Sequence, residues 1–139
     1  MRPITLAGTA ELVASGHSLD KALREFLDEF YQAPTPELKS VMLSEEPAPT
    51  GDPRLEGLFG GVAEYLAHQL ALPQVPAWVY SPSRYLDRAW HASPITDDGF
   101  REYLTFSSPA EFASRNIFTE ERPLRRARGP LPAGKSTQT

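Results

Sequence analysis

DPRLEGLFGGVAEYLAHQLAL, residues 52–72, is the segment on which the fold turns. Asp52 is a capping residue placed before Pro53, and proline fits the first helical turn because its missing N–H would go unpaired there anyway. Leu55, Leu58, Phe59, Val62, Leu66 and Leu70 then recur at three- and four-residue steps. That spacing predicts a helix from Asp52-Pro53 to about Leu72 with these six side chains on its core face. Gly60-Gly61 interrupts the pattern, and each glycine costs about 1 kcal/mol relative to alanine in a helix interior. Such a pair either lets a neighbour approach the helix closely or kinks it. Pro73 and Pro76 end the segment.

The same punctuation organises the rest of the chain. Thr35-Pro36, Ser81-Pro82, Ser93-Pro94 and Ser108-Pro109 repeat the pairing of a capping side chain with a proline. A first helix is expected from about Ile4 to Ser15, ending at Gly16. Ser18 caps a second, whose Leu19, Ala22, Leu23, Phe26, Leu27 and Phe30 form one stripe. Thr35-Pro36 opens a helix to about Leu43, and SEEPAPTGDP (44–53) reads as a loop. Ala77–Tyr80 reads as a short extended piece too isolated for a sheet, Pro82 starts a turn of helix, and a further helix is expected around Phe100 to Phe106. In the last helix Ser108, Pro109 and Glu111 form a capping box, with Phe112 turned inward. The fold class is therefore all-α: a single compact domain over 1–127, built from six or seven short helices joined by Trp/Tyr-rich connections, with a disordered tail over 128–139.

The 139 residues suit one domain. Fourteen prolines are about twice the usual share, which agrees with many short elements. The absence of cysteine excludes disulfides, thiolate catalysis and Cys-type zinc sites. No apolar run approaches the roughly 18 residues that span a bilayer. MRPITLAGTAELVASG is a poor signal peptide, being broken by Gly8, Thr9 and Glu11. A cytoplasmic protein without membrane partners is expected.

Charge is uneven within the net of −4. Residues 1–80 hold five Lys/Arg against eleven Asp/Glu, and residues 81–139 hold nine against seven. An acidic body with a basic end argues against a broad nucleic-acid-binding face and suits a charged partner.

No catalytic constellation stands out. His17, His68 and His91 are scattered without metal-ligand spacing. The serines fall at caps rather than in a G-x-S-x-G elbow. Gly60-Gly61 lacks the lysine of a phosphate loop. Trp78, Tyr80, Tyr85 and Trp90 can stack bases or line a pocket, but their irregular spacing favours packing between short helices. An enzyme would need a deep polar pocket near Trp78, His91 and Arg115. Two charged groups remain as candidate binding residues. Asp20, Glu25, Asp28 and Glu29 lie on the solvent side of the second helix. Arg115, Arg122, Arg125, Arg126 and Arg128 form a C-terminal cluster whose forks suit carboxylates and phosphates alike, and Glu111, Glu120 and Glu121 are close enough in sequence to pair with some of them.

LREFLDEFY (23–31), PAWVYSPSRYLDRAW (76–90) and SPAEFASRNIF followed by LRRA (108–127) together resemble an uncharacterised family of small bacterial helical proteins. The marks are Ala77-Trp78, Trp90, Pro109, Phe112, Arg115-Asn116-Ile117-Phe118 and Arg126-Ala127. Members of that family are often encoded beside a nucleotidyltransferase-like protein, in pairs that look like toxin–antitoxin modules. The resemblance implies a non-enzymatic, antitoxin-like component that binds and regulates a nucleotidyltransferase-type partner, and it assigns no catalytic residue, metal or cofactor. On this reading Asp20, Glu25, Asp28 and Glu29 face a basic cleft of the partner, while Arg115, Asn116, Arg122, Arg125 and Arg126 dock elsewhere. The alternative is a small nucleic-acid-binding transcriptional regulator that uses the basic C-terminal edge.

Overall fold

The computed structural model describes residues 4–91 and 108–119. Its described elements are α1 (Leu6–Ala14), α2 (Leu19–Gln32), α3 (Pro36–Ser44), α4 (Pro53–Gln69), two 3₁₀ turns (Ala77–Tyr80 and Pro82–Arg84), β1 (Trp90–His91), α5 (Ala110–Ala113) and β2 (Ile117–Phe118). The protein is mostly helical. It is not purely so, because β1 and β2 pair in parallel, with Trp90 opposite Ile117 and His91 opposite Phe118. The helix expected at 100–106 and the tail from 128 lie outside the described residues.

Local chemistry starts the first four helices where the capping residues stand. The hydroxyls of Thr5, Ser18 and Thr35 accept from the backbone N–H groups of Gly8, Lys21 and Leu38, and the Asp52 carboxylate accepts from Arg54. Ser93-Pro94 lies outside the described residues, and the other two Ser-Pro pairs behave differently. Ser81 makes no side-chain cap to the second 3₁₀ turn. Helix α5 begins beyond Pro109 without a side-chain cap, so the expected capping box does not form. Ser108 instead clasps Thr119: its Oγ donates to the Thr119 carbonyl and accepts from the Thr119 N–H, both at 2.8 Å. The loop is thereby closed across α5 and β2.

Helix α4 is the centre of the molecule. Phe59, Val62, Ala63, Leu66 and Ala67 join Phe26, Leu27 and Phe30 of α2, Leu6 and Ala10 of α1, and Met42 and Leu43 of α3 in one core. The helix stops at Gln69, short of Leu72. Ala71 adopts φ 49°, and the Leu72 N–H reaches back to the Ala67 carbonyl at 2.9 Å, a left-handed closure that satisfies the final turn. Leu70 consequently leaves the core face and is exposed. Ala77–Tyr80 is a 3₁₀ turn rather than an extended piece. Trp78 is buried beneath it, with its indole N–H donated to the Leu43 carbonyl at 3.1 Å.

Helix α4 runs unbroken through Gly60 and Gly61, which admit neighbours. A Cβ at Gly60 would sit 2.9 Å from Arg84 Cβ and 3.2 Å from Arg115 Nε. One at Gly61 would sit 2.7 Å from the Phe112 ring. The second 3₁₀ turn and α5 thus lie directly on the α4 backbone, and they bring two arginines with them.

Candidate functional site

Arg84 and Arg115 are among the largest fully enclosed side chains, at 2% and 0% exposure. A buried guanidinium is tolerable only if acceptors replace water. Arg115 Nη1 donates to Glu64 Oε1 at 2.6 Å and to the Glu111 carbonyl at 2.7 Å, and Nη2 donates to the Val79 carbonyl at 2.6 Å. Its planar face lies over the Tyr85 ring at 4.5 Å. Arg84 repeats the arrangement at the other end of α4. Nη1 donates to Glu56 Oε1 at 2.9 Å, Nη2 donates to Glu46 Oε2 at 3.2 Å and to the Pro47 carbonyl at 3.0 Å, and the Trp78 ring lies 4.9 Å away. Both Nε atoms are buried without a hydrogen-bond partner among the described residues, and that of Arg115 lies against the bared backbone at Gly60.

These contacts place Arg115, expected to dock a partner, inside the fold: it is closed off from solvent and its cation is matched there. Its carboxylate among the described residues is Glu64, and Glu111 contributes its carbonyl; Glu120 and Glu121 lie outside the described residues. Asn116 is likewise turned inward: its side-chain amide donates to the Leu86 carbonyl at 2.8 Å and its backbone carbonyl accepts from Trp90 N at 2.8 Å. Arg122, Arg125 and Arg126 lie outside the described residues. Arg84 was missed as an important residue. Its position directly after Ser81-Pro82-Ser83 gave no periodic signal, and only the opposing Gly60 could have hinted at it.

Of the α2 carboxylates, Asp20, Glu25 and Glu29 are exposed and Asp28 is half-buried. The face is less acidic than the four residues suggest. At 100° per residue, Lys21 and Arg24 fall among them on the solvent side, so six charges sum to −2.

A further pair joins α4 to α5. His68, 47% exposed, directs Nδ1 to Glu111 Oε2 at 2.6 Å. A carboxylate that orients an imidazole is half of a general-base arrangement. Of the three residues around which an enzyme's polar pocket is expected, Trp78 bonds to Leu43, Arg115 is buried, and the His91 ring stacks on Phe118 at 5.2 Å. Among the described residues no group of three or more His, Asp or Glu side chains is placed to hold a metal ion, and no helix is long and apolar enough to cross a membrane.

Comparison with protein-family models, with curated proteins and with solved structures returned no match.

Proposed function

We propose that the protein is a non-enzymatic interaction component, antitoxin-like in role, that binds and regulates a nucleotidyltransferase-type partner. The observation that carries this reading is how the charge is divided. The strongest ionic groups, Arg84 with Glu56 and Arg115 with Glu64, are spent on joining elements to α4. Asp20, Glu25 and Glu29 remain exposed on α2, opposite its buried Ala22, Phe26 and Phe30 stripe. A helix whose solvent face stays net acidic even with Lys21 and Arg24 among its carboxylates suits recognition of a basic protein surface. The withdrawal of Arg115 into the core removes one cation from the basic C-terminal edge on which a nucleic-acid reading depends.

The test is affinity capture of the tagged chain from its native host after nuclease treatment, with mass spectrometry of the bound fraction. A stoichiometric nucleotidyltransferase-like protein, lost with Asp20→Lys, Glu25→Lys and Glu29→Lys combined, is the expected result. Nucleic acid retained without nuclease, and no protein partner, would replace this reading with the regulator.

A further inference from the structure

A groove of about 930 Å³ runs between α1 and the chain that follows α3, on a different part of the surface from the α2 carboxylates. Its α1 wall presents Gly8 and Leu12, one turn apart on the helix, with Ile4 alongside from the extended chain just before it. Gly8 is a notch in that wall: among the described residues a Cβ there would meet only Thr5 Oγ1 within 4 Å. Leu12, at 41% exposure, is one of the few large apolar side chains left facing solvent. Glu11, Glu45 and Glu46 complete the lining together with small residues, and among the described residues no lysine or arginine contributes to it.

The far wall is held in place by the core. Arg84 Nη2 donates to both Glu46 Oε2 and the Pro47 carbonyl while Nη1 holds Glu56 on α4. Among the described residues, 45–49 make no backbone–backbone hydrogen bond, and this guanidinium ties Glu46 and Pro47 to α4. Glu46 is half neutralised by Arg84. Glu11 and Glu45 have no ion-pair partner among the described residues. A preformed groove with an apolar wall, a notch and uncompensated carboxylates is complementary to one kind of occupant.

We infer that this groove receives an amphipathic, lysine- or arginine-bearing helix of a protein partner. An apolar side chain would seat in the Gly8 notch between Ile4 and Leu12, and basic residues would reach Glu11 and Glu45. The inference concerns a surface separate from α2 and holds whether or not the partner is a nucleotidyltransferase.

The test uses the full chain and a fluorescein-labelled 14-residue amphipathic peptide of leucine and lysine, read by fluorescence anisotropy. A second peptide carries glutamate for lysine. Saturable binding of the lysine peptide alone is expected. It should weaken about tenfold with Glu11→Lys and Glu45→Lys combined and several-fold with Leu12→Ser, each variant keeping the wild-type circular dichroism. Asp20→Lys with Glu25→Lys should leave it within about twofold. Absence of saturable binding, equal binding of the glutamate peptide, or a loss that follows the α2 variant would overturn the assignment. Tighter binding by Arg125→Glu with Arg126→Glu would overturn it too, because the chain's own basic segment would then be the occupant.

Discussion

The Arg115 guanidinium and the Glu64 carboxylate, 51 positions apart in sequence, meet at 2.6 Å against α4. Glu64 Oε2 also accepts from the Tyr80 hydroxyl at 3.1 Å, so one carboxylate ties α4 to both the first 3₁₀ turn and the segment after α5. Removing one member of a buried pair strands the other, at a cost of about 3–5 kcal/mol. Arg115→Met is expected to lower stability by that order, since the Val79 and Glu111 carbonyls lose their donor as well. Combining it with Glu64→Leu should recover part of the loss. Urea unfolding of the four members of this double-mutant cycle measures the coupling, and strictly additive effects would show that the pair is not a unit.

His68 and Glu111 make an equally short contact at 2.6 Å, but His68 is half in solvent. Exposed ion pairs contribute about 0–1 kcal/mol. Glu111→Gln is therefore expected to shift the urea midpoint far less than Arg115→Met, although both alter a bond between α4 and the region around α5. A comparable shift for the two would mean that Glu111 has a structural role its side-chain contact does not express.

Replacing glycine by alanine inside a helix ordinarily stabilises it by about 1 kcal/mol. At Gly60 and Gly61 the sign is expected to reverse. The added methyl would lie 2.9 Å from Arg84 Cβ, an atom close to the backbone with little room to give, or 2.7 Å from the Phe112 ring. Overpacking of this kind costs about 1–3 kcal/mol. Thermal unfolding should show Gly60→Ala and Gly61→Ala both below wild type, and an increase in Tm for either would mean that the second 3₁₀ turn or α5 does not rest on α4.

The helices legible in the sequence were those whose signals are local. Ser18, Thr35 and Asp52 each announce a start through a hydroxyl or carboxylate that a nearby N–H can reach, whereas α1, expected from about Ile4, starts at Leu6 behind a Thr5 cap; the α2 stripe from Ala22 to Phe30 is periodic enough to give its buried face. Ala77–Tyr80 was not legible, because four residues between prolines carry no period and the 3₁₀ turn is held by Trp78 reaching Leu43, a distant partner. The same limit governed the site. Arg115 next to Asn116 on a basic C-terminal stretch looks like surface charge until Glu64 and Gly60 are brought opposite it. The exposed carboxylates of α2 were legible from period alone, as were Lys21 and Arg24 between them.

Tyr80 gives a pH signature of the Glu64 junction. Burial raises its phenol above the ordinary value of 10.0, with the Glu64 charge and hydrogen bond adding in the same direction. The folded state then holds the proton more tightly than the unfolded chain. The associated stability is present below the unfolded value and is lost as pH rises through the folded one. Titration at 295 nm of wild type minus Tyr80→Phe should place Tyr80 above the ordinary range, and Glu64→Gln should lower it towards that range. No movement with Glu64→Gln would leave burial as the whole cause.

Asn116 carries the turn from α5 into β2 at φ 64°, in the left-handed region that disfavours a Cβ. Asparagine tolerates that conformation because its short amide finds local or nearby acceptors, and here it donates to the Leu86 carbonyl. The two contributions can be separated. Asn116→Gly keeps the backbone freedom and loses the hydrogen bond, at about 1 kcal/mol. Asn116→Ala loses the bond and also imposes the left-handed penalty of about 1–2 kcal/mol. Stability should fall in the order wild type, glycine, alanine, as read by urea unfolding. If alanine equals glycine, the positive φ stores no strain and the Leu86 bond alone holds the turn. If both equal wild type, the parallel pairing of Trp90–His91 with Ile117–Phe118 holds without it.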